Sequence, residues 1–227
     1  MDNIEIVVAR YNENLKWINE SPFNEFTYIV YNKGQNEDFE KNNVKKIISL
    51  PNTGRCDHTY LYHIIENFEN LNNITVFFPG SIHMENKKGK AIEILNRIKN
   101  NQFKHAIFIG EYTSNLNKKF YNFQLDHWLS SDPKNAELYT KSELCPSKIR
   151  PFGKWYNFHF GNKKIKFYTI NSIFSIDKKD ILKYDKKRYI WLLKQLSLHA
   201  NPEVGHYIER SWSAIFHPFL YTKVLLI

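Results

Sequence analysis

The segment Ile4-Glu5-Ile6-Val7-Val8-Ala9, followed by Arg10-Tyr11-Asn12-Glu13, decides how the rest of the chain is read. A run rich in β-branched residues breaks into a polar tetrapeptide, the pattern of a buried strand running into a loop. The same pattern recurs downstream. Phe26 to Tyr31 closes on Asn32-Lys33-Gly34, and Val44 to Leu50 closes on Pro51-Asn52-Thr53-Gly54. Ile74-Thr75-Val76-Phe77-Phe78 is stopped by Pro79-Gly80. Each expected strand therefore ends in turn-forming residues.

Helical spacing fills the gaps. Leu15 to Asn19 fits one turn, and Asp57 to Asn70 carries Tyr60, Leu61, Ile64, Ile65 and Phe68 on one face, with Asp57 as the expected N-cap. Ala91 to Lys99 predicts a second helix. Strand and helix in alternation predict an α/β fold with a mostly parallel central sheet flanked by helices. Farther on, Phe103 to Asp132 reads as a loop-rich excursion containing the apolar run Ala106 to Gly110. Pro146 to Lys164 holds Pro, Gly and aromatics, and Ile165 to Ile176 is β-rich. Asp180 to Leu198 and Val204 to Phe216 read as helices, and the apolar Phe219 to Ile227 is expected to pack on the body. With no repeat and no low-complexity linker, residues 1–227 read as a single domain.

Composition narrows the function. Hydrophobic residues make up 42% and aromatics 16%, enough to build a core and to set disorder aside. Thirty-two Lys and Arg against 23 Asp and Glu leave a formal charge of +9, which favours anionic ligands. The lysines are scattered among asparagines, as in Lys87-Lys88, Lys118-Lys119 and Lys163-Lys164, so they read as a solvated surface rather than a nucleic-acid stripe. Cys56 and Cys145 fit no metal spacing and read as free thiols of a reducing, cytoplasmic compartment. No segment is long and apolar enough to span a bilayer.

In an open parallel sheet, ligands bind beyond the carboxyl ends of the strands. The loops at those ends hold Arg10-Tyr11-Asn12-Glu13, Asn32-Lys33, Asn52-Thr53-Gly54-Arg55 and Ser81-Ile82-His83. These supply guanidinium groups, amides and a ring, which suits a base, a ribose and a diphosphate. Gly54-Arg55 before a helix is the best local phosphate candidate, its ordinary reading being a turn glycine and a surface charge. No GxGxxG and no GxxxxGK[ST] occurs. His83 lies where a divalent ion would meet a diphosphate, although a lone histidine is more often structural. His58 and His63, five apart, do not form an HxxxH pair, and Asp126-His127 and Asp132 are weaker metal candidates. Glu209, beside Arg210 on the last helix, is placed to act as a base, the ordinary alternative being an ion pair.

Taken in order, these motifs carry a resemblance. Val7 to Glu13, then Pro51 to Arg55 with its helix, then Thr75 to Ser81, then Asn171 to Ile176, Tyr189 and Glu209 to Phe216 resemble a family of fungal, bacterial and giant-virus domains. That family is related to the first domain of a chlorella-virus capsid glycosyltransferase. The resemblance implies a GT-A-like fold and a glycosyltransferase that moves a sugar from a UDP-sugar donor to a glycan or glycoprotein, assisted by Mn2+ or Mg2+. It further implies a nucleotide pocket lined by Ala9, Arg10, Tyr11 and Asn12, with Asn32, Lys33, Gly54, Arg55 and Ser81 nearby. On this reading Glu209 is the catalytic base, His83 a metal ligand, and Trp128 or Trp212 a stacking face for sugar. The usual Asp-x-Asp metal motif is replaced by Ser81-Ile82-His83. Three outcomes stay open: His83 ligates a metal nearly alone, cations such as Arg55 take the metal's place, or the protein binds its ligand without turnover.

Overall fold

A computed structural model describes residues 3–127 and 144–227. Its centre is a five-stranded sheet in the order β3-β2-β1-β4-β7. The strands are β1 (Ile4–Arg10), β2 (Tyr28–Asn32), β3 (Val44–Ser49), β4 (Ile74–Pro79) and β7 (Phe174–Asp177). The first four run parallel and β7 is antiparallel to β4, so the protein is α/β with a mixed central sheet. β1 sits between β2 and β4, in register at Val8 with Val30 and with Phe78.

Burial on both faces explains why β1 reads as a continuous apolar run. Side chains alternate along a strand, so Ile4, Ile6 and Val8 enter one core while Val7 and Ala9 enter the other. The first core also holds Trp17, Phe23, Tyr28, Phe78 and the inner face of α2 (Glu85–Asn100). The second is closed by α1 (Arg55–Glu66) and by four helices that follow in the chain. These are α4 (Phe152–Phe160), α5 (Lys178–Leu182), α6 (Lys186–Leu196) and α7 (Glu203–Phe216). A small second sheet, β6 (Phe167–Tyr168), β5 (Ile107–Tyr112) and β8 (Lys223–Leu226), completes the fold, with α3 (Leu116–Phe120) after β5.

Several sequence expectations change. The excursion from Phe103 contains β5 and α3, because Ile107 to Gly110 is buried against Lys223 to Leu226 of β8. The stretch from Pro146 yields α4, whose aromatic residues pack against Tyr207. The β-rich run Ile165 to Ile176 is two strands parted by Asn171 and Ser172, both in the left-handed region. The long helix from Asp180 is two helices, because Asp185 caps a fresh start by accepting from Lys187 N–H. α2 begins at Glu85, six residues before Ala91, since its first turn and a half is polar. Asp57 is not a cap either. Gly54, at φ +60, holds that position, and Asp57 points inward.

Two loops at the carboxyl end of the sheet are locked together. Lys33 N–H donates to Arg10 C=O, and a Cβ on Gly34 would lie 1.8 Å from the Tyr11 carbonyl oxygen. Backbone blocks backbone there, so no side-chain adjustment relieves the clash. Gly34→Ala is expected to lower unfolding stability by about 2 kcal/mol or more, in the range of overpacked sites. Urea denaturation giving a wild-type midpoint would refute this reading.

Candidate functional site

The carboxyl ends of β1 and β4, the start of α1, the residues before β7 and the middle of α7 converge on two carboxylates. Asp57 is 1% exposed; its Oδ1 accepts from Ser172 Oγ at 2.9 Å and from the Trp212 indole N–H at 2.7 Å. Burial and the neighbouring negative charge of Glu209 push the Asp57 carboxyl up to about 6. Glu209 is partly buried. Its Oε1 accepts from Asn171 N–H at 2.8 Å, and its Oε2 lies 3.5 Å from Arg210 Nη1. The left-handed backbone at Asn171 and Ser172 presents an N–H to one carboxylate and a hydroxyl to the other.

Cations surround this pair. Arg55, itself at φ +57, follows Gly54. A Cβ on Gly54 would come within 2.6 Å of Leu196 Cβ, so the glycine permits α1 to start hard against α6. Arg55 Nη1 reaches His206 Nδ1 at 2.9 Å. Burial, aided by the Arg55 and Arg210 charges, keeps His206 far below its usual value, so its ring is neutral and accepts from Arg55. From α2, Lys87 Nζ donates to Ser81 Oγ at 2.7 Å and meets Met84 Sδ at 3.3 Å. Lys90 Nζ donates to Thr169 Oγ1 and lies 3.3 Å from Ile170 C=O. Burial lowers both lysines, Lys90 to about 8; the charges of Glu13 and Glu209 oppose the shift at Lys87, and those of Glu111 and Glu209 oppose it at Lys90. Cys56, close by, is no nucleophile, because burial and Asp57 push its thiol up to about 12.

The expected site residues fall into groups. Glu209, Arg55 and Ser81 meet in this basin, while Gly54 shapes its wall. Arg10 is fully buried and turned into its own loop, with Nε donating to Glu13 C=O at 2.7 Å. Its Nη1 donates to Asn32 Oδ1 and Asn36 C=O, both at 2.6 Å, and its guanidinium lies 4.2 Å from the centre of the Phe39 ring. Asn32 is thereby a partner of Arg10 rather than of a ligand. The Lys33 ammonium bonds the carbonyls of Thr53 and Arg55, and burial lowers it to about 7. Ala9 is buried and its carbonyl accepts from Gly80 N–H; Tyr11 and Asn12 are half-buried at the rim.

Trp212 corrects the sugar-stacking expectation. It is fully buried, with Phe216 stacked on it and Phe174 and Tyr60 against it, so neither ring face is open to a sugar. Trp128 and Asp132 lie outside the described residues. Asp126 is exposed and pairs with Arg150 at 3.1 Å. His58 stacks on Tyr62, and His63 is enclosed by Tyr31 and Glu5.

The position expected to hold a metal has the wrong chemistry for it. Ser81 is occupied by an ammonium, Ile82 is fully buried and His83 is exposed. Among the described residues no three His, Cys, Asp or Glu side chains group as a metal site. Hard divalent ions take oxygen donors and avoid adjoining cations.

The profile of the family described as "Protein of unknown function (DUF3431)" matches residues 6–222, nearly the whole chain and every element of this basin. The chain belongs to that family. No curated protein matches it. Membership therefore extends from β1 through α7 to the edge of β8 and carries no activity with it. No helix among the described residues is long and apolar enough to cross a membrane.

Sequence reasoning missed Asp57, Lys87, Lys90, Asn171 and Ser172 as site residues. A signal was present for two of them, since Lys87 and Lys90 are i, i+3 on a helix that follows a strand-ending Pro-Gly-Ser. The Asp57 carboxyl gives a pH test. Its ordinary value is 3.8 and its folded value about 6, so the folded state retains a proton between these pH values. Stability from this group is therefore full below about pH 4, falls as pH rises through 6, and stays low above. Asp57→Asn keeps an acceptor for Trp212 and Ser172 and removes the charge. It is expected to flatten that fall and to raise stability at pH 7.5 by up to about 3 kcal/mol. Thermal unfolding from pH 4 to 8 that stays parallel to wild type would remove Asp57 as the cause.

Proposed function

We propose that this protein is a glycosyltransferase of GT-A-like architecture that uses a nucleoside diphosphate sugar, with UDP-sugar as the favoured donor. One observation carries the reading. A carboxylate held by a backbone N–H, Glu209, lies beside Arg210 and within the field of Lys87 and Lys90, with Arg55 acting on the neighbouring Asp57. Transfer of a sugar needs both halves of that arrangement. A base must take the proton of the attacking hydroxyl, and positive charge must stabilise the departing diphosphate.

The topology supports the same reading. A parallel β3-β2-β1-β4 set with an antiparallel edge strand is a mixed central sheet, as that reading requires. This support is analogy at the level of fold; the site supplies the chemistry. On this reading Tyr11 and Asn12, half-buried at the end of β1, border the base and ribose. Glu209 would accept the proton of an acceptor hydroxyl through an oxygen oriented by Asn171, and the cations would offset charge on the donor. A glycan or glycoprotein hydroxyl is the acceptor class this arrangement suits.

Two measurements test it. UDP is expected to raise the melting temperature more than ADP, GDP or CDP, and a wider stabilisation by another nucleotide would overturn the donor assignment. Glu209→Gln keeps the hydrogen bond from Asn171 but cannot take a proton. It is expected to lower kcat for sugar transfer by about 10²-fold or more while leaving UDP affinity within a few-fold. Unchanged turnover would remove Glu209 as base. UDP binding by the wild type without transfer or hydrolysis of any UDP-sugar would assign the site to nucleotide recognition alone.

A further inference from the structure

The Ser81-Ile82-His83 segment stands where a divalent ion would be expected, yet its chemistry favours an anion. We infer that Lys87 and Lys90, together with Arg55, bind the diphosphate of the ligand directly, and that this binding needs no divalent metal. The inference rests on the proposed donor for its biological ligand, but the anion site stands on its own residues.

The two lysines are the core of the argument. Each ammonium is partly withdrawn from water, and each is met only by neutral groups: a hydroxyl and a thioether for Lys87, a hydroxyl and a carbonyl for Lys90. Neither has a carboxylate within ion-pair distance among the described residues. Lys88, next in sequence, provides the contrast. It is one-third exposed and paired with Glu20, as an ordinary surface lysine would be. Withdrawing a cation from water without an anionic partner is costly. A site that does so with two lysines on one helix face is matched to a ligand that supplies the missing negative charge.

Both lysines lie within the field of one carboxylate, Glu209. Lys87 is anchored to Ser81, immediately beyond β4, and its charge is close enough to act with those of Arg55, Glu13 and Glu209. Lys90 lies one turn along α2, with Thr169 and Ile170 before β7, and also shares the field of Glu209. Arg55 is braced from behind by neutral His206 and by Gly205, where a Cβ would stand 3.3 Å from Arg55 Cδ. The candidate oxygen donors for a metal are meanwhile engaged. Asp57 Oδ1 serves two donors, Glu209 serves Asn171 and Arg210, and Ser81 serves Lys87. Three cations facing a diphosphate can neutralise its charge as a metal would, through ammonium and guanidinium hydrogen bonds.

Calorimetric titration of the full chain with pyrophosphate and with UDP, in EDTA and then in excess manganese, tests this. Both are expected to bind in EDTA, with manganese changing affinity less than about threefold. Lys87→Met and Lys90→Met are each expected to weaken pyrophosphate about tenfold, the loss of one charge-assisted contact, while Lys87→Arg retains most of the affinity. Thermal unfolding of the variants checks their fold, and the metal comparison on the wild type decides the matter even if a variant unfolds. UDP binding that appears only with manganese would overturn the inference and leave the donor reading standing. Metal-free pyrophosphate binding with no gain from the uridine would uphold the anion site and overturn the donor. Failure of both ligands under both conditions would overturn both.

Discussion

The geometry of the basin hangs on one buried carboxylate. Asp57 receives a hydroxyl from the segment before β7 and an indole N–H from α7, and so ties the first helix to two elements more than a hundred residues away. Hydrogen bonds to a charged acceptor are worth more than neutral ones, and a lone buried charge is far worse than a paired one. The bond from Ser172 holds the turn that presents the neighbouring Asn171 N–H to Glu209. The bond to Trp212 sets the depth of α7 against Phe174 and Tyr60. The position of Glu209 and the packing of the helix that bears it are thus consequences of a residue that itself touches almost no solvent.

How much of this was legible depends on whether a side chain's type reveals its direction. β1 and β4 were readable because burial on both faces leaves an apolar run that few other structures produce. α4 was not, because its aromatic residues fall on the exposed side as well, at Phe158, and so blur the apolar face. The start of α2 was missed for the opposite reason, its first turns being polar. At the site, Glu209 was recognisable by its place on a late helix. Arg10 and Trp212 were not, since a guanidinium spent on its own loop and an indole spent on a core carboxylate look in sequence like residues awaiting a ligand. Asp57 carried a cap's signature, and only the left-handed Gly54 ahead of it shows that the cap lies elsewhere.

Net charge was a poor guide as well. The excess of nine positive charges is scattered along the chain, and the exposed part of it is screened by solvent and salt. What distinguishes Lys87 and Lys90 is partial burial beside neutral partners, a property that exists only once β4, α2 and the Thr169–Ile170 segment have come together. The family match, residues 6–222, spans all of these elements.

The loop after β1 has a further consequence. Arg10 Nε and Nη1 donate to Glu13, Asn32 and Asn36, and Glu13 in turn accepts from Tyr11 N–H at 2.7 Å. Ordering a mobile loop around a ligand costs conformational entropy, which is subtracted from affinity. Here that entropy was surrendered when the chain folded. The rim formed by Tyr11 and Asn12 is therefore already in place, stilled by the arginine beneath it.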